Sequence, residues 1–242
     1  MALPQSFLVL DIETVIDAEL YTPPEVPEGE APPFPPLYAH RPILLGALWF
    51  DGELGARRLG FIGEGQGEPG MLAEFGRLLE AERPLLVSYN GRGFDLPVLA
   101  LRSLRHGLPL PYLAGAGEAR QVASGAPHLD LCELLGGRGL GLDAAARLIG
   151  LPGKQGMDGS RVAELHARGD GAALRRYCLS DVVQTGFLLL RIRLLQGLLA
   201  AAAYRERAHR LLALAEADGQ LGMLCQGIER ERVLLEATPA MD

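Results

Sequence analysis

Short apolar segments and helical stripes alternate along the first part of the chain, and helical patterns dominate the second. Apolar runs bounded by turn residues predict strands at 7–14, 42–50, 57–62, 85–89 and 128–131. Helical spacing predicts helices at about 71–79, at 95–105 and through most of the chain after Asp143, with Gly150 and Asp170 as helix stop and start. Residues 22–40, which include seven prolines, and residues 108–127 are predicted to be loops. This order of elements predicts an α/β fold, a mixed β-sheet flanked by α-helices.

The length and apolar content of the chain are typical of a folded enzyme domain. Its 242 residues, of which 48% are hydrophobic, suffice for a sizeable buried core. No internal repeat and no shift of composition marks a domain boundary. We therefore expect a single domain over residues 1–242, with a catalytic core at about 5–197, the Pro-rich loop at 22–40 and a helical C-terminal extension at about 198–236.

Composition excludes several classes of protein. The net charge of −7 argues against a protein that coats long nucleic acid, but it permits an enzyme that grips only a chain end. The three cysteines are odd in number and lack CxxC spacing, so we expect reduced thiols rather than a disulfide framework or a zinc site. The most apolar stretch, Gly186–Tyr204, is interrupted by two arginines, and no basic segment precedes the first apolar run. We expect no membrane span, no signal peptide and a cytoplasmic location.

The first predicted strand ends in two acids. Side chains alternate along a strand, so Asp11 and Glu13 emerge on the same face, one pleat apart. Two carboxylates held this close repel each other and lose hydration. A hard divalent cation such as Mg²⁺ or Mn²⁺ relieves both penalties, because it takes carboxylate oxygens as ligands. The strand therefore predicts half of a metal site.

Two later segments carry acids that are unremarkable when taken alone. Asp95 follows a predicted strand and precedes a helix with Pro97 in its first turn, which is typical of a helix cap. Tyr177 and Asp181 stand four residues apart and share one helix face. By themselves they fit a core tyrosine and a solvated acid. Their neighbours are mostly apolar, however, which leaves little room for a solvated face.

The order of these pieces resembles the three motifs of the DEDD superfamily. The segments are Asp11-x-Glu13 on the first strand, Asn90-x₃-Phe94-Asp95 after a later strand, and Tyr177-x₃-Asp181 on a later helix. That superfamily includes the DnaQ-like 3′–5′ exonucleases, which have a ribonuclease H-like fold. A tyrosine in the third motif marks the DEDDy branch. The sister branch has a histidine one residue earlier, where this chain has Arg176.

A more specific resemblance is to the bacterial predicted exonucleases related to the proofreading domain of family B DNA polymerases. It rests on residues 90–99, 128–131 and 153–160, and it extends over about Phe7–Gly197. The long Pro-rich insert after the first motif departs from the family pattern.

The resemblance implies a catalytic centre in which Asp11, Glu13, Asp95 and Asp181 hold two Mg²⁺ or Mn²⁺ ions about 3.5–4 Å apart. Tyr177 would orient the attacking water. The reaction implied is hydrolysis of phosphodiester bonds at the single-stranded 3′ end of DNA or RNA, with release of nucleoside 5′-monophosphates. A homo-oligomer is possible, and the sequence does not determine it.

Further residues are candidates for substrate contact. Thr14 follows Glu13 at the strand end, Asn90 precedes the second motif, and Phe94 either stacks on the terminal base or packs in the core. Lys154 is the only lysine in the chain, and we interpret it as a candidate phosphate contact. Taken alone, His128 fits a structural histidine and Asp130 fits a helix cap.

Two alternatives remain open at this point. Asp11-Ile12-Glu13-Thr14 imitates the Asp-x-Asp-Thr signature of haloacid dehalogenase-like phosphatases, in which Asp11 would be the nucleophile. That alternative leaves Tyr177 and the Asn90–Asp95 motif unexplained. The other alternative is a non-catalytic nucleic-acid-binding module on the same fold, although such proteins usually lose one or more of the acids.

Overall fold

A computed structural model describes residues 6–27, 29, 32–114, 127–137, 139–154 and 161–236. Its five strands are β1 (Ser6–Ile16), β2 (His40–Asp51), β3 (Ala56–Phe61), β4 (Leu85–Ser88) and β5 (His128–Asp130). They form one sheet in the order β3-β2-β1-β4-β5, with β1–β2 and β2–β3 antiparallel and β1–β4 and β4–β5 parallel. The mixed sheet predicted from the strand and helix order is therefore present, and β1 lies at its centre.

Helices cover both faces of the sheet. The described helices are α1 (Gly67–Glu82), α2 (Asp95–Arg105), α3 (Pro111–Ala114), α4 (Leu131–Leu134), α5 (Leu142–Leu148), α6 (Val162–Ala167), α7 (Gly171–Leu195), α8 (Ala201–Ala217), α9 (Gly222–Gln226) and α10 (Arg230–Leu234). On one face, Leu8, Leu10 and Ile12 of β1 pack against α1, α2 and α3. On the other face, Phe7 and Val9 pack in a core built largely by α7 and α8. Asp11 and Glu13 continue this second series, so the strand directs them towards α7.

Close approach of α7 to the sheet depends on glycine. Gly46 of β2 lies opposite Asp11 in the sheet register, and a Cβ atom there would lie 2.6 Å from the Cys178 Sγ atom of α7. Gly186 of α7 similarly meets Leu48, since a Cβ would lie 2.5 Å from the leucine Cδ2 atom. The absence of both side chains lets the helix that carries the third motif pack directly on the strands.

The C-terminal helices share the core of the sheet domain. Tyr204, Leu211 and Val233 are fully buried in the cluster that contains Val9 and Phe187. The Tyr204 hydroxyl donates a hydrogen bond to the Val233 carbonyl at 2.5 Å, which fastens α10 to α8. No helix among the described residues has both the length and the apolar character that crossing a membrane requires.

The structure corrects two predicted loops. The Pro-rich loop predicted at 22–40 ends earlier, because residues Leu37–Ala39 form a 3-10 turn and His40 already pairs with Ile16 in the sheet. The loop predicted at 108–127 contains α3, where Pro111 occupies the first helical turn and Leu113 is fully buried. Residues 115–126 of this loop lie outside the described part of the chain.

Helix boundaries after Asp143 follow the predicted stop and start. Helix α5 ends at Leu148, and Gly150 adopts a φ of +91° in the turn that follows. The Asp170 side chain accepts a hydrogen bond from the Ala173 N–H group and caps α7. Residues 149–154 between these points are not helical.

Candidate active site

Asp11 and Glu13 lie on β1 beside α7. Glu13 is 5% exposed, and Asp11 is half-buried. The β1–β2 register shifts between Glu13 and Thr14, so an irregularity interrupts the ladder directly after the two acids before pairing resumes as far as Ile16. Irregularities of this kind re-aim side chains. The sheet therefore presents two neighbouring carboxylates directly before the irregularity in its pairing.

Asp95 is held close to Asp11 and Glu13 by a hydrogen bond to the backbone of β1. It is the first residue of α2, and its Oδ1 atom accepts a hydrogen bond from the Ile12 N–H group at 3.1 Å. Ile12 lies between Asp11 and Glu13 in sequence. The parallel pairing of β1 with β4 places the start of α2 there, because α2 follows β4 after a short loop. Asp95 thus serves a tertiary contact and does not act as the cap of its own helix.

The loop before Asp95 is held by Asp130. The Asp130 carboxylate accepts hydrogen bonds from the N–H groups of Asn90 and Arg92, both at 2.9 Å, and from Cys132, where it caps α4. Asn90 adopts a φ of +65°, a conformation that asparagine tolerates better than most residues. The tight turn that results fixes the direction from which α2 starts.

The Ser88 hydroxyl makes a second set of hydrogen bonds at this loop. The Ser88 hydroxyl lies 2.8 Å from His128 Nε2 and accepts a hydrogen bond from the Gly91 N–H group at 3.0 Å. Burial lowers the pKa of His128 to about 4, so the ring is neutral at physiological pH. His128 is thus a structural partner of Ser88, which in turn holds the loop that leads to Asp95.

Helix α7 brings Tyr177 and Asp181 to the acids on β1. Lys154 approaches from the segment after α5, and its Nζ atom donates a hydrogen bond to the Tyr177 hydroxyl at 2.9 Å. The same Nζ atom lies 3.7 Å from Asp181 Oδ2. The other carboxylate oxygen, Asp181 Oδ1, is buried and has no hydrogen-bond partner among the described residues. A buried carboxylate oxygen left in this state is costly unless a cation or a donor meets it.

The acids perturb one another strongly. Burial raises the pKa of Asp95 to about 7 and that of Asp181 to about 6, although Lys154 opposes the increase at Asp181. Burial likewise raises the pKa values of Asp11 and Glu13 well above their ordinary range. Repulsion adds to this effect, since Asp95 and Asp181 both raise the pKa values of Asp11 and Glu13. Four carboxylates with such values form a site that favours positive charge.

The donor set fits a hard divalent cation. Ligand atoms of Asp11, Glu13 and Cys178 lie within 4.8 Å of one another, while Asp95 and Asp181 stand outside this tight group. Oxygen ligands from carboxylates suit Mg²⁺ and Mn²⁺. Asp181 Oδ1, buried and unpartnered among the described residues, is a further carboxylate oxygen that lacks a donor or cation. The carboxylate oxygens of this region are therefore of the type that such an ion takes as ligands.

Asp11, Glu13 and Asp181 line an open cleft of about 1110 Å³. Each candidate substrate contact also lines it: Thr14, Asn90, Phe94 and Lys154. The Thr14 hydroxyl lies 2.9 Å from His40 Nδ1, and the Phe94 ring contacts His40 edge-on at 4.8 Å. The structure thus brings the predicted site residues to one cleft, except Asp95, which does not line it and joins the other acids through its bond to Ile12.

Sequence reasoning missed three residues of this region. Cys178 places its sulfur beside Asp11 and Glu13, and only its position next to Tyr177 could have indicated it. Phe34 and His40 also line the cleft, and no local pattern marks them, because they enter it through the path of the Pro-rich loop.

Comparison with solved structures shows a shared fold. The family B DNA polymerase of the archaeon Pyrobaculum calidifontis superposes with a TM-score of 0.56 at 19% identity, over 90% of this chain and 30% of the polymerase chain. E. coli exonuclease I in complex with a dT13 oligonucleotide gives a TM-score of 0.39 at 15% identity, over 86% of this chain and 46% of that one. The chain therefore spans less than half the length of either protein. The mixed sheet with flanking helices, shared with the polymerase, is the ribonuclease H-like fold predicted from the sequence.

Comparison of sequences identifies the family. No curated protein matches the chain. The model of one family, described as "Predicted 3'-5' exonuclease related to the exonuclease domain of PolB", matches residues 32–223. This span includes Asp95, Tyr177 and Asp181, whereas Asp11 and Glu13 precede it and join the site through the central position of β1. The chain belongs to this family of 3′–5′ exonuclease-like proteins related to the exonuclease domain of PolB.

Proposed function

We propose that the protein is a metal-dependent 3′–5′ exonuclease that hydrolyses phosphodiester bonds at nucleic-acid 3′ ends and releases nucleoside 5′-monophosphates. The observation that carries the proposal is the grouping of four carboxylates from β1, α2 and α7: Asp11, Glu13 and Asp181 line one cleft, and Asp95 is bonded to the β1 backbone between the first two. The buried Asp181 Oδ1 atom is unpartnered among the described residues. The coupled increase in their pKa values supports a cation as the missing partner.

Asp11, Glu13, Asp95 and Asp181 would hold two Mg²⁺ or Mn²⁺ ions in this proposal. When bound, such ions activate water as a nucleophile and neutralise charge on the phosphate and the leaving oxygen. The protein itself supplies the negative site, and its raised pKa values mean that protons compete with cations there.

Tyr177 is proposed to orient the attacking water through its hydroxyl, which corresponds to the DEDDy type. The hydroxyl accepts a hydrogen bond from Lys154 at 2.9 Å and itself hydrogen-bonds to Asp181, one of the four acids. The Lys154 ammonium group also offers a positive charge in the cleft, suited to a substrate phosphate. We propose that Lys154 contacts a substrate phosphate. If Lys154→Ala binds single strands with the same affinity as the wild type, this proposal is wrong.

The proposed substrate is the single-stranded 3′ end of DNA or RNA. The cleft is lined near the acids by Thr14, Asn90 and Phe94, which offer a hydroxyl, an amide and a ring to a terminal nucleotide. Because the chain carries a net charge of −7, few phosphates can be contacted at once. The logarithm of affinity should then fall with the logarithm of salt concentration with a slope no steeper than about −4.

We also propose that residues 1–242 act as one exonuclease domain, with its core at about 5–197. The extension at about 198–236 would then stabilise the catalytic helix, because α8 and α10 pack on α7 in the same core. The Pro-rich loop would form one wall of the cleft.

The test is degradation of 5′-labelled single-stranded DNA and RNA with Mg²⁺, Mn²⁺ or EDTA. We expect a ladder that shortens from the 3′ end only with metal, and a loss of at least about 100-fold in Asp11→Asn and Asp181→Asn. Glu164→Gln is the matched control, since Glu164 is an exposed acid of α6. A ladder that survives both substitutions would refute the site assignment. Binding of oligonucleotide without cleavage by the wild type would instead indicate a non-catalytic module, and trapping of a phospho-aspartate at Asp11 would indicate the phosphatase alternative.

A further inference from the structure

The Pro-rich loop is fastened at its base. The Asp17 N–H group donates to the Ala39 carbonyl at 2.8 Å, so the two ends of the loop are joined by a backbone bond. Arg102, which is 1% exposed, donates to Asp17 Oδ2 at 2.8 Å and also pairs with Glu68 of α1. Buried pairing of this kind holds a fixed geometry, because breaking it leaves uncompensated charge. The loop therefore leaves the sheet at a defined position beside β1.

Phe34 of this loop forms an aromatic group with His40 and Phe94 at the cleft. Phe34 stacks on the His40 ring with centroids 5.1 Å apart and an interplanar angle of 25°. Phe94 meets Phe34 edge-on at 5.9 Å and His40 at 4.8 Å. Phe34 nevertheless remains 73% exposed, so the face that does not contact His40 is open to solvent.

The His40 ring, on which Phe34 stacks, is hydrogen-bonded to β1, the strand that carries Asp11 and Glu13. His40 is 5% exposed, and its two nitrogens lie 2.9 Å from the Thr14 hydroxyl and 3.3 Å from the Pro35 carbonyl. Thr14 directly follows Glu13 on β1. Phe34 and His40 line the same cleft as Asp11 and Glu13. The aromatic group is therefore attached through His40 to the cleft wall beside β1, and an exposed apolar face so placed indicates a ligand.

We propose that Phe34 stacks on an unpaired nucleobase near the 3′ end of the substrate and makes the enzyme selective for single strands. This inference rests on the proposed exonuclease function and names its base-binding residue. Every base has a face that an aromatic ring can stack on, so the contact tolerates any sequence. A base inside a duplex is already stacked and paired, and it is not free to meet Phe34.

Loss of one such stacking contact weakens binding by about 5- to 100-fold. We expect Phe34→Ala to raise KM by this factor on a single-stranded 15-mer, with kcat changed less than about threefold. Phe34→Trp should retain the wild-type value, because it keeps a ring at the same place. Tyr38→Ala is the matched control: Tyr38 is a 48% exposed aromatic residue in the 3-10 turn of the same loop, and it does not line the cleft.

Substrates with one abasic site at each of the last four positions identify the stacked base. At that position the abasic site should raise the KM of the wild type by the same factor as the substitution Phe34→Ala does. It should not raise the KM of the variant any further. A KM of Phe34→Ala within twofold of wild type, or equal additional losses in the variant at all four positions, would overturn the inference while leaving the nuclease function intact. Thermal unfolding of Phe34→Ala should match wild type, since the ring is exposed.

Fluorescence anisotropy with a 3′-labelled oligonucleotide separates this inference from the proposed function. If the wild type binds the strand but does not cleave it, the exonuclease proposal fails, and weaker binding by Phe34→Ala still supports the stacking contact. If the wild type does not bind the strand, both proposals fail.

Discussion

Replacement of Asp95 by asparagine should stabilise the metal-free protein and weaken metal binding at the proposed site. Burial raises the pKa of Asp95 from its ordinary 3.8 to about 7, and the side chain is 6% exposed. At pH 8 the folded protein therefore holds a buried carboxylate that ionises far more easily in the unfolded chain. Each pKa unit corresponds to about 1.4 kcal/mol, so the difference costs up to about 4 kcal/mol of stability. Asparagine removes the charge and keeps an oxygen that accepts the Ile12 N–H bond.

The pH dependence follows from the direction of the shift. Because the pKa of Asp95 is raised in the folded state, the unfolded chain loses its proton first, and the contribution to stability falls as pH rises from about 4 to about 7. Asp95→Asn lacks this loss. Its advantage should be up to about 4 kcal/mol at pH 8, equivalent to about 10 °C in Tm, and below about 1 kcal/mol at pH 4.

Urea and thermal unfolding in EDTA at pH 4 and pH 8 measure this difference. Asp51→Asn is the control of opposite sign: burial of Asp51 opposes ionisation, but hydrogen bonds from Gly55, Glu53 and Arg57 outweigh it and lower the pKa of the carboxyl. That variant should be less stable than wild type at pH 8. Addition of Mn²⁺ should raise the Tm of wild type more than that of Asp95→Asn. A metal-free Asp95→Asn protein that is less stable than wild type at pH 8, or whose gain is the same at both pH values, would refute the reasoning.

Three further substitutions test other parts of the structure. Tyr177→Phe should lower kcat by about 100-fold or more with Mn²⁺ affinity within twofold of wild type in calorimetry, whereas a fall in Mn²⁺ affinity would contradict a role confined to the water. Gly46→Ala should cost about 1–3 kcal/mol in urea unfolding because its Cβ would meet the sulfur of α7, and Gly60→Ala, with open space around its Cβ, should cost less than about 1 kcal/mol. Arg102→Met should cost about 3–5 kcal/mol, because it removes the buried guanidinium group that pairs with both Asp17 and Glu68. Arg105→Met, at a more exposed residue 3.9 Å from Asp17, should cost much less, and equal effects would contradict a special role of the buried pair.

The elements of the fold were largely predictable because they depend on local periodicity. Alternation on β1 predicted that Asp11 and Glu13 share a face, and helical spacing predicted the same for Tyr177 and Asp181. Helix α2 begins at Asp95 and ends at Arg105, as its pattern indicated. The predicted loops were less accurate, because the 3-10 turn before His40 and the short helix α3 are stabilised by packing against the core.

Contacts between distant segments could not be predicted from local patterns. The bond from Ile12 to Asp95 spans 83 residues, and it depends on the parallel pairing of β1 with β4. Asp130 holds the Asn90 turn across 40 residues of chain. The resemblance to a family indicated that these acids belong together, but it contained no information on the bonds that hold them.

By itself, therefore, the sequence determined the order of elements, the faces on which the acids lie and the family to which the motifs point. Only the tertiary structure decided that Asp181 Oδ1 is buried without a partner among the described residues, that Lys154 reaches Tyr177, and that Phe34 stands over the cleft. The physical reason is the range of each effect. Strand and helix geometry repeat every two to four residues and can be recognised in the sequence, whereas burial and ion pairing depend on which surfaces meet after the chain has folded.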